Sequence, residues 1–243
     1  MNIVISYLAG SGGELLSNPL INSKKYFSAV SHHMLSPSGR MVPKFNQNFV
    51  KLFPPLDGKH CYQRDWAADW EKLLDLNKNW LLLTTDPDQA QFLKSKIKDK
   101  VLIISITYNE LIYQYVLDSF CYKILDSKNY LTRDQIGENF LKTVSKSDEH
   151  RKWFINLGTN GQLGSWYKKE YSRGNIHFPP KFHHYSGDFT VELTTLLTPG
   201  GLVKIYKDLS LILGQVFDLE YIKKIHSSWL EIQNNNYINN FSS

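Results

Sequence analysis

Cysteine is scarce in this chain of 243 residues, which contains only Cys61 and Cys121. Two cysteines without metal-ligand spacing provide neither a disulfide framework nor a zinc motif, and such scarcity is typical of a reducing compartment. No apolar run in the sequence approaches the roughly 18 residues that a membrane span needs. The N-terminus also lacks the basic region that precedes the apolar segment of a signal peptide. We therefore expect a cytoplasmic protein with no membrane partner.

Charge of one sign is not in large excess either. The sequence has 28 basic and 23 acidic residues, a formal net charge of +5, and its lysines are scattered along the chain. This balance suits an anionic ligand but does not support nucleic-acid binding. The length and a hydrophobic content of 42% fit one large α/β domain. We expect residues 1–243 to form a single domain, and no oligomeric state is predicted.

A glycine-rich stretch follows the first apolar run of the chain. Residues 3–5 read Ile-Val-Ile, and residues 10–13 read Gly-Ser-Gly-Gly. A strand, a glycine turn and a helix start together present backbone N–H groups that bind an anion at the positive end of the helix dipole. The predicted nucleotide-type phosphate site consists of Gly10, Ser11, Gly12, Gly13, Glu14 and Leu15. The alternative is a tight strand-to-helix connection in which the glutamate favours the first helical turn.

The segments that follow the glycine stretch predict a short helix, a strand and an irregular insertion. The helix is expected to be interrupted near Pro19, and the strand covers residues 26–30. Repeated Pro and Gly residues over residues 32–60 predict irregular chain there. Asp65 is predicted to cap a helix whose apolar face carries Trp66, Trp70, Leu73 and Leu74.

The middle of the chain shows the clearest helix start. Asp86 is expected at the N-cap, Pro87 at the first helical position and Gln89 at the third. This helix lies between apolar runs at residues 80–83 and 101–106. Such nearly continuous runs are typical of strands in a parallel sheet that is covered on both faces.

The second half of the chain is predicted to be mostly helical. Asn109, Thr132 and Ser147 each open a predicted helix. A loop-rich segment, a strand and two C-terminal helices follow at residues 158–188, 189–193, 202–212 and 218–232. The predicted fold is therefore a three-layer α/β domain, with a mostly parallel sheet, helices on both faces and a helical C-terminus.

This order of elements resembles the sulfotransferase family, in a form associated with bacteria and phages. The matching stretches are residues 9–16, at the phosphosulfate loop of the family, then residues 83–106, 189–213 and 221–230. Proteins of this family are P-loop-type α/β proteins that move a sulfuryl group from the donor PAPS to a hydroxyl or an amine. The resemblance therefore implies this fold and PAPS as the cofactor.

The sequence departs from the family at the positions of its charged ligands. Gly10 stands in place of the loop lysine, and Gly13 and Glu14 replace two hydroxyl residues. The family's histidine base and the Arg and Ser that hold the 3′-phosphate correspond to Thr85, Thr107 and Tyr115. The general P-loop pattern requires the same lysine, and its loss disfavours a kinase-like alternative.

Other residues would then have to supply the chemistry of sulfuryl transfer, which needs positive charge at the leaving phosphate and a base for the acceptor. His32 and His33 are candidates for the base, and the alternative is an exposed histidine pair. Arg40 and Arg64 are candidates for anion contacts, and the alternative is a surface or packing role. No metal site is predicted, because the adjacent histidines at 183–184 would point to opposite faces of a strand.

Two functions are therefore expected from the sequence. The first is sulfotransferase-like group transfer from a phosphoadenosine-type donor, a nucleotide-type anionic ligand, to an acceptor that the sequence does not identify. The second is a catalytically inactive relative, in which the fold serves as a binding or interaction protein and the nucleotide site is lost.

Overall fold

The computed structural model describes residues 1–7, 11–35, 41–54, 66–97, 100–112, 115–116 and 185–234. In chain order, the strands are β1 (Asn2–Ser6), β2 (Phe27–Ser28), β3 (Val30–Leu35), β4 (Met41–Phe45), β5 (Trp80–Thr84), β6 (Val101–Thr107) and β7 (Phe189–Glu192). The helices are α1 (Gly13–Asn22), α2 (Gln47–Leu52), α3 (Trp70–Leu74), α4 (Pro87–Ile97), α5 (Leu193–Leu196), α6 (Gly201–Leu213) and α7 (Leu219–Gln233). None of the described helices is long and apolar enough to cross a membrane.

Five strands form one parallel sheet in the order β2-β5-β1-β6-β7, with the first strand of the chain at its centre. Ile3 is paired with Leu81 on one side and with Leu102 on the other. Every residue of β5 and β6 is buried. The continuous apolar runs in the sequence predict this burial, because it is typical of strands that are covered on both faces. The expected α/β class with a mostly parallel sheet is confirmed.

Helices cover both faces of this sheet. On one face, Ile3 and Ile5 share a core with side chains of α1, α6 and α7. On the opposite face, Val4 shares a second core with α4 and with the aromatic side chains Phe49, Phe53, Trp66 and Trp80. Alternate residues of the central strand therefore pack into two separate cores, because successive side chains of a strand point to opposite faces of the sheet.

The predicted start of α4 is present in detail. The Asp86 carboxylate accepts hydrogen bonds from the backbone N–H groups of Asp88 and Gln89, at 2.9 and 3.4 Å. The Gln89 amide also donates to the Asp86 carboxylate at 3.2 Å. Ala90, Leu93 and Ile97 are buried, as their helical spacing predicts.

The structure differs from prediction between residues 30 and 54. Where irregular chain was expected, β3 and β4 pair as an antiparallel hairpin, and α2 follows with Asn46 as its side-chain cap. Pro43 lies inside β4, opposite His33. A two-stranded ribbon tolerates a proline because each of its strands has an edge that needs no N–H donor.

Two helices also have different bounds from those predicted. The α1 helix continues through Pro19 to Asn22 and is not interrupted there. The α3 helix begins at Trp70 and not after Asp65, which lies outside the described residues. Residues 66–69 form a turn, in which the Asp69 N–H donates to the Trp66 carbonyl at 3.2 Å, and the first helical bond runs from the Leu73 N–H to the Asp69 carbonyl at 3.0 Å. The Trp66 backbone N–H donates to the Gln89 side chain, and its indole donates to the Leu83 carbonyl. These tertiary bonds hold the tryptophan against α4 and β5.

The remaining predicted elements have three different outcomes. The strand at residues 189–193 and both C-terminal helices are present as β7, α6 and α7. After Asn109 the described residues show a short 3₁₀ turn, in which the Asn109 side chain accepts from the Leu111 N–H at 3.0 Å. The helices predicted from Thr132 and Ser147, and the predicted loop up to residue 184, lie outside the described residues.

Candidate functional site

The candidate site lies at the carboxyl edge of the parallel sheet, where the chain connections diverge. After β1 the chain enters α1 on one face and moves toward β2, whereas after β5 it enters α4 on the other face and moves toward β6. Because β1 and β5 are neighbours, their connections separate at a topological switch point. Open α/β sheets bind ligands in the crevice outside such a point.

The glycine turn after β1 opens the helix on this edge. Gly12 is the N-cap of α1 and has the left-handed backbone angles φ 80° and ψ 16°, which glycine adopts at little cost. Its carbonyl accepts the first helical bond, from the Leu16 N–H at 3.0 Å. Gly10, the first residue of the predicted site, lies outside the described residues.

Gly13 is required by packing against Tyr7. A Cβ atom at position 13 would lie 2.2 Å from Cγ of the Tyr7 ring, although carbon atoms normally stay about 3.5–4.0 Å apart. The tyrosine itself is 3% exposed and belongs to the core on the α1 face. The aromatic ring therefore occupies the space that any larger residue at position 13 would need.

Gly12 and Ser11 are also enclosed. A Cβ atom on Gly12 would lie 3.4 Å from Cδ1 of Leu196 and 3.9 Å from Cδ1 of Leu193, both in α5. Ser11 is 0% exposed. Backbone geometry and packing thus account for Gly12 and Gly13 without a ligand, which is what a tight strand-to-helix connection requires.

Acidic residues surround this edge of the sheet. Glu14 lies in the first turn of α1, Asp86 caps α4, Glu110 follows β6 and Glu192 ends β7. Among the described residues, those directly after these strands include no lysine or arginine. On the described part of this edge, positive potential for a bound anion therefore comes from the backbone dipoles at the N-termini of α1 and α4.

The two predicted histidines lie on the β3–β4 hairpin, which packs against α1. His33 is buried, whereas His32 is partly exposed and its Nδ1 lies 3.4 Å from the Ser31 hydroxyl. Adjacent residues of a strand point to opposite faces, so the structure does not bring the pair together at one place. Arg40 and Arg64 lie outside the described residues.

Two positions that the sequence resemblance aligns with ligands of that family, Thr107 and Tyr115, are buried in the structure. Tyr115 is buried, and its hydroxyl donates to the Gln233 side chain of α7 at 2.9 Å. Thr107 is buried at the end of β6. The Tyr115 hydroxyl therefore links its segment to α7.

Sequence reasoning missed a line of four hydroxyl residues across the sheet. Thr84, Ser6, Ser105 and Thr190 stand in register on four neighbouring strands, β5, β1, β6 and β7. We call this set the hydroxyl row. In the sequence, each of these apolar runs has a hydroxyl residue at or near its end. The order of the strands is needed to show that the four hydroxyl residues lie side by side.

His226 was likewise missed, because it lies in an amphipathic pattern typical of core. It is 1% exposed in α7, stacks on Trp229 with ring centroids 6.3 Å apart, and donates from Nε2 to the Leu196 carbonyl at 2.8 Å. Burial lowers the pKa of His226, and the hydrogen bond to Leu196 opposes that shift. The contact fixes α5, which covers the glycine turn.

The described residues contain no group of three or more His, Cys, Asp or Glu side chains that could hold a metal ion.

No family model matches the sequence, and neither a curated protein nor a solved structure matches it significantly. The fold and the site define the class of this protein. It is an α/β protein with a mostly parallel sheet and a glycine turn at the carboxyl end of its central strand.

Proposed function

We propose that this protein binds a nucleotide-type anion at residues 10–15 and acts as a sulfotransferase-like protein of the P-loop type. The observation that supports this is the placement of the glycine turn, which opens α1 at the carboxyl end of the central strand. Helix N-termini in that position attract phosphate groups through backbone N–H groups and the helix dipole. The sequence resemblance supports a phosphoadenosine-type ligand.

The proposed reaction is transfer of a sulfuryl group from PAPS to an unidentified hydroxyl or amine. The S–O bond to the leaving phosphate breaks, the bond to the acceptor oxygen or nitrogen forms, and a base takes the acceptor proton. The protein's contribution is mainly positioning and charge stabilisation. In this proposal Arg40 and Arg64 supply the charge that a loop lysine would give, and His32 or His33 supplies the base.

The second candidate function is a catalytically inactive relative that serves as a binding or interaction protein. The enclosed packing of Gly12 and Gly13 and the carboxylate of Glu14 favour it. A desolvated carboxylate beside a phosphate would cost a few kcal/mol, on the order found for unpaired buried charges. Ligand binding and turnover separate the two functions.

Thermal shift and calorimetry with 3′-phosphoadenosine 5′-phosphate, ATP and GTP test the binding step. A ligand at about one hundred times its Kd adds roughly 2.7 kcal/mol to the free energy of unfolding. We expect the largest shift with 3′-phosphoadenosine 5′-phosphate, and a larger one for Glu14→Gln, because that change removes a negative charge from the site. Glu110→Gln, in the turn after β6, is the matched control for lost charge at the same edge.

Absence of a shift with all three nucleotides would refute the binding claim. Binding without release of 3′-phosphoadenosine 5′-phosphate from PAPS, across a panel of hydroxyl and amine acceptors, would favour the inactive relative. Turnover that survives replacement of both His32 and His33 would exclude the proposed base.

A further inference from the structure

The hydroxyl row marks a boundary on the α4 face of the sheet. Side chains two residues earlier on the three central strands are Val4, Leu82 and Ile103, and all three belong to the core beneath α4. Because side chains alternate along a strand, Ser6 shares the face of Val4. On this face, the side chains of Val4, Leu82 and Ile103 are therefore apolar, and the side chains two residues later on the same strands are hydroxyls. These hydroxyls lie next to the switch point at the carboxyl edge.

Three members of the row, Thr84, Ser105 and Thr190, have hydrogen-bond partners among the described residues. The Thr84 hydroxyl contacts the N–H and the carbonyl of Asp86, at 3.0 and 3.2 Å. The Ser105 hydroxyl accepts from the Gly187 N–H at 3.1 Å and donates to the Thr190 hydroxyl at 3.2 Å. These bonds anchor the connection after β5 and the segment that precedes β7.

Ser6 differs from its two neighbours in the row. It is 0% exposed, yet within the described part of the chain its hydroxyl has no hydrogen-bond partner. A buried hydroxyl without a partner is unfavourable and rare in native proteins. The Tyr7 N–H donates to the Thr84 carbonyl at 3.1 Å, so the β1–β5 ladder continues past Ser6 and holds it at the junction of the two diverging connections.

We propose that Ser6 is a ligand-binding residue of the carboxyl-edge site, whose hydroxyl donates to a phosphate or sulfate oxygen of the bound nucleotide-type ligand. This inference rests on the proposed function. Ser6 is the last residue of β1, the Asp86 connection begins two residues after Thr84, and the glycine stretch begins four residues after Ser6. An oxygen of the ligand accepts the hydrogen bond from the Ser6 hydroxyl, for which the described part of the protein offers no acceptor.

The test compares Ser6→Ala with Ser105→Ala in the full chain, because the two serines are neighbours in register and differ in hydrogen bonding. Without ligand, we expect the urea midpoint of Ser6→Ala to equal or exceed that of the wild type, and that of Ser105→Ala to fall. With 3′-phosphoadenosine 5′-phosphate, calorimetry should show about tenfold weaker binding for Ser6→Ala. Binding by Ser105→Ala should be unchanged.

Three results would overturn the inference. A Ser6→Ala midpoint lowered as much as that of Ser105→Ala would show that the hydroxyl is already satisfied in the free protein, as by an enclosed water. Unchanged nucleotide affinity of Ser6→Ala would remove Ser6 from the site while leaving the proposed function standing. No binding by the wild type would reject both.

Discussion

The contact between Gly13 and Tyr7 gives a quantitative test of the glycine turn. Gly13 lies in the first turn of α1, where alanine normally stabilises a helix relative to glycine by about 0.5–1 kcal/mol. Here, however, the new Cβ would lie 2.2 to 2.5 Å from three atoms of the Tyr7 ring. Overpacking of this kind costs about 1–3 kcal/mol. We expect Gly13→Ala to lower the free energy of unfolding by about 1–2 kcal/mol.

A double-mutant cycle separates the clash from other effects of the substitution. Tyr7→Ala alone should cost about 3–5 kcal/mol, because it removes a buried ring. In that background Gly13→Ala no longer meets the ring and should stabilise the protein, so the two changes couple by about 2 kcal/mol. Tyr7→Phe keeps the ring, and the cost of Gly13→Ala should persist there.

Urea unfolding followed by circular dichroism provides the free energies, with equal m-values as the condition for comparing variants. Gly200→Ala is the control for backbone strain, because Gly200 has φ 77° and nothing within 4 Å of its would-be Cβ. It should cost about 1–2 kcal/mol from the left-handed conformation alone. Additive effects at positions 7 and 13, or a Gly13→Ala protein as stable as the wild type, would refute the packing argument.

Three further predictions concern caps and buried groups. Asp86→Ala removes the cap of α4 and should lower the free energy of unfolding by about 1 kcal/mol, whereas an unchanged urea midpoint would contradict the capping role. Burial lowers the pKa of His226, so the histidine of the unfolded chain is protonated first as the pH falls. The contribution of this neutral histidine to the free energy of unfolding should be fully present above about pH 6.5 and decline below it. His226→Gln should weaken this pH dependence. Asp188 accepts from the Ile103 N–H at 2.9 Å and pairs with Lys94; Asp188→Ala should cost about 1–3 kcal/mol, but Lys94→Met no more than about 1 kcal/mol, because that ion pair is solvent-accessible. Equal costs for the last two variants would show that the ion pair dominates.

Local sequence patterns predict the sheet and its main helix because the responsible interactions are local. Asp86 caps α4 through atoms two and three residues away, so the motif is visible in the sequence. The apolar runs at β5 and β6 are strands because both of their faces are covered. These features fix the α/β class and place the glycine turn after the first strand.

Features that depend on distant contacts escaped prediction. The bonds from the two N–H groups of Trp66 to Gln89 and Leu83 join residues 23 and 17 positions apart, so local patterns did not predict them. The packing of Gly13 against the ring of Tyr7 was not predicted either, because a sequence pattern does not show where a side chain packs. The in-register alignment of Ser6 with Ser105 required the strand order, which no single segment encodes.

The proline inside α1 makes this helix depend on contacts from distant parts of the sequence. Pro19 has no N–H to give to the helix and is disfavoured there, and a ten-residue helix is marginal on its own. Support comes from α6 and α7: the Tyr206 hydroxyl donates to the Leu16 carbonyl, and the Tyr221 hydroxyl donates to the Asn18 side chain at 2.7 Å. The stability of α1 and of the glycine turn that opens it therefore depends on residues 190 and 203 positions further along the chain.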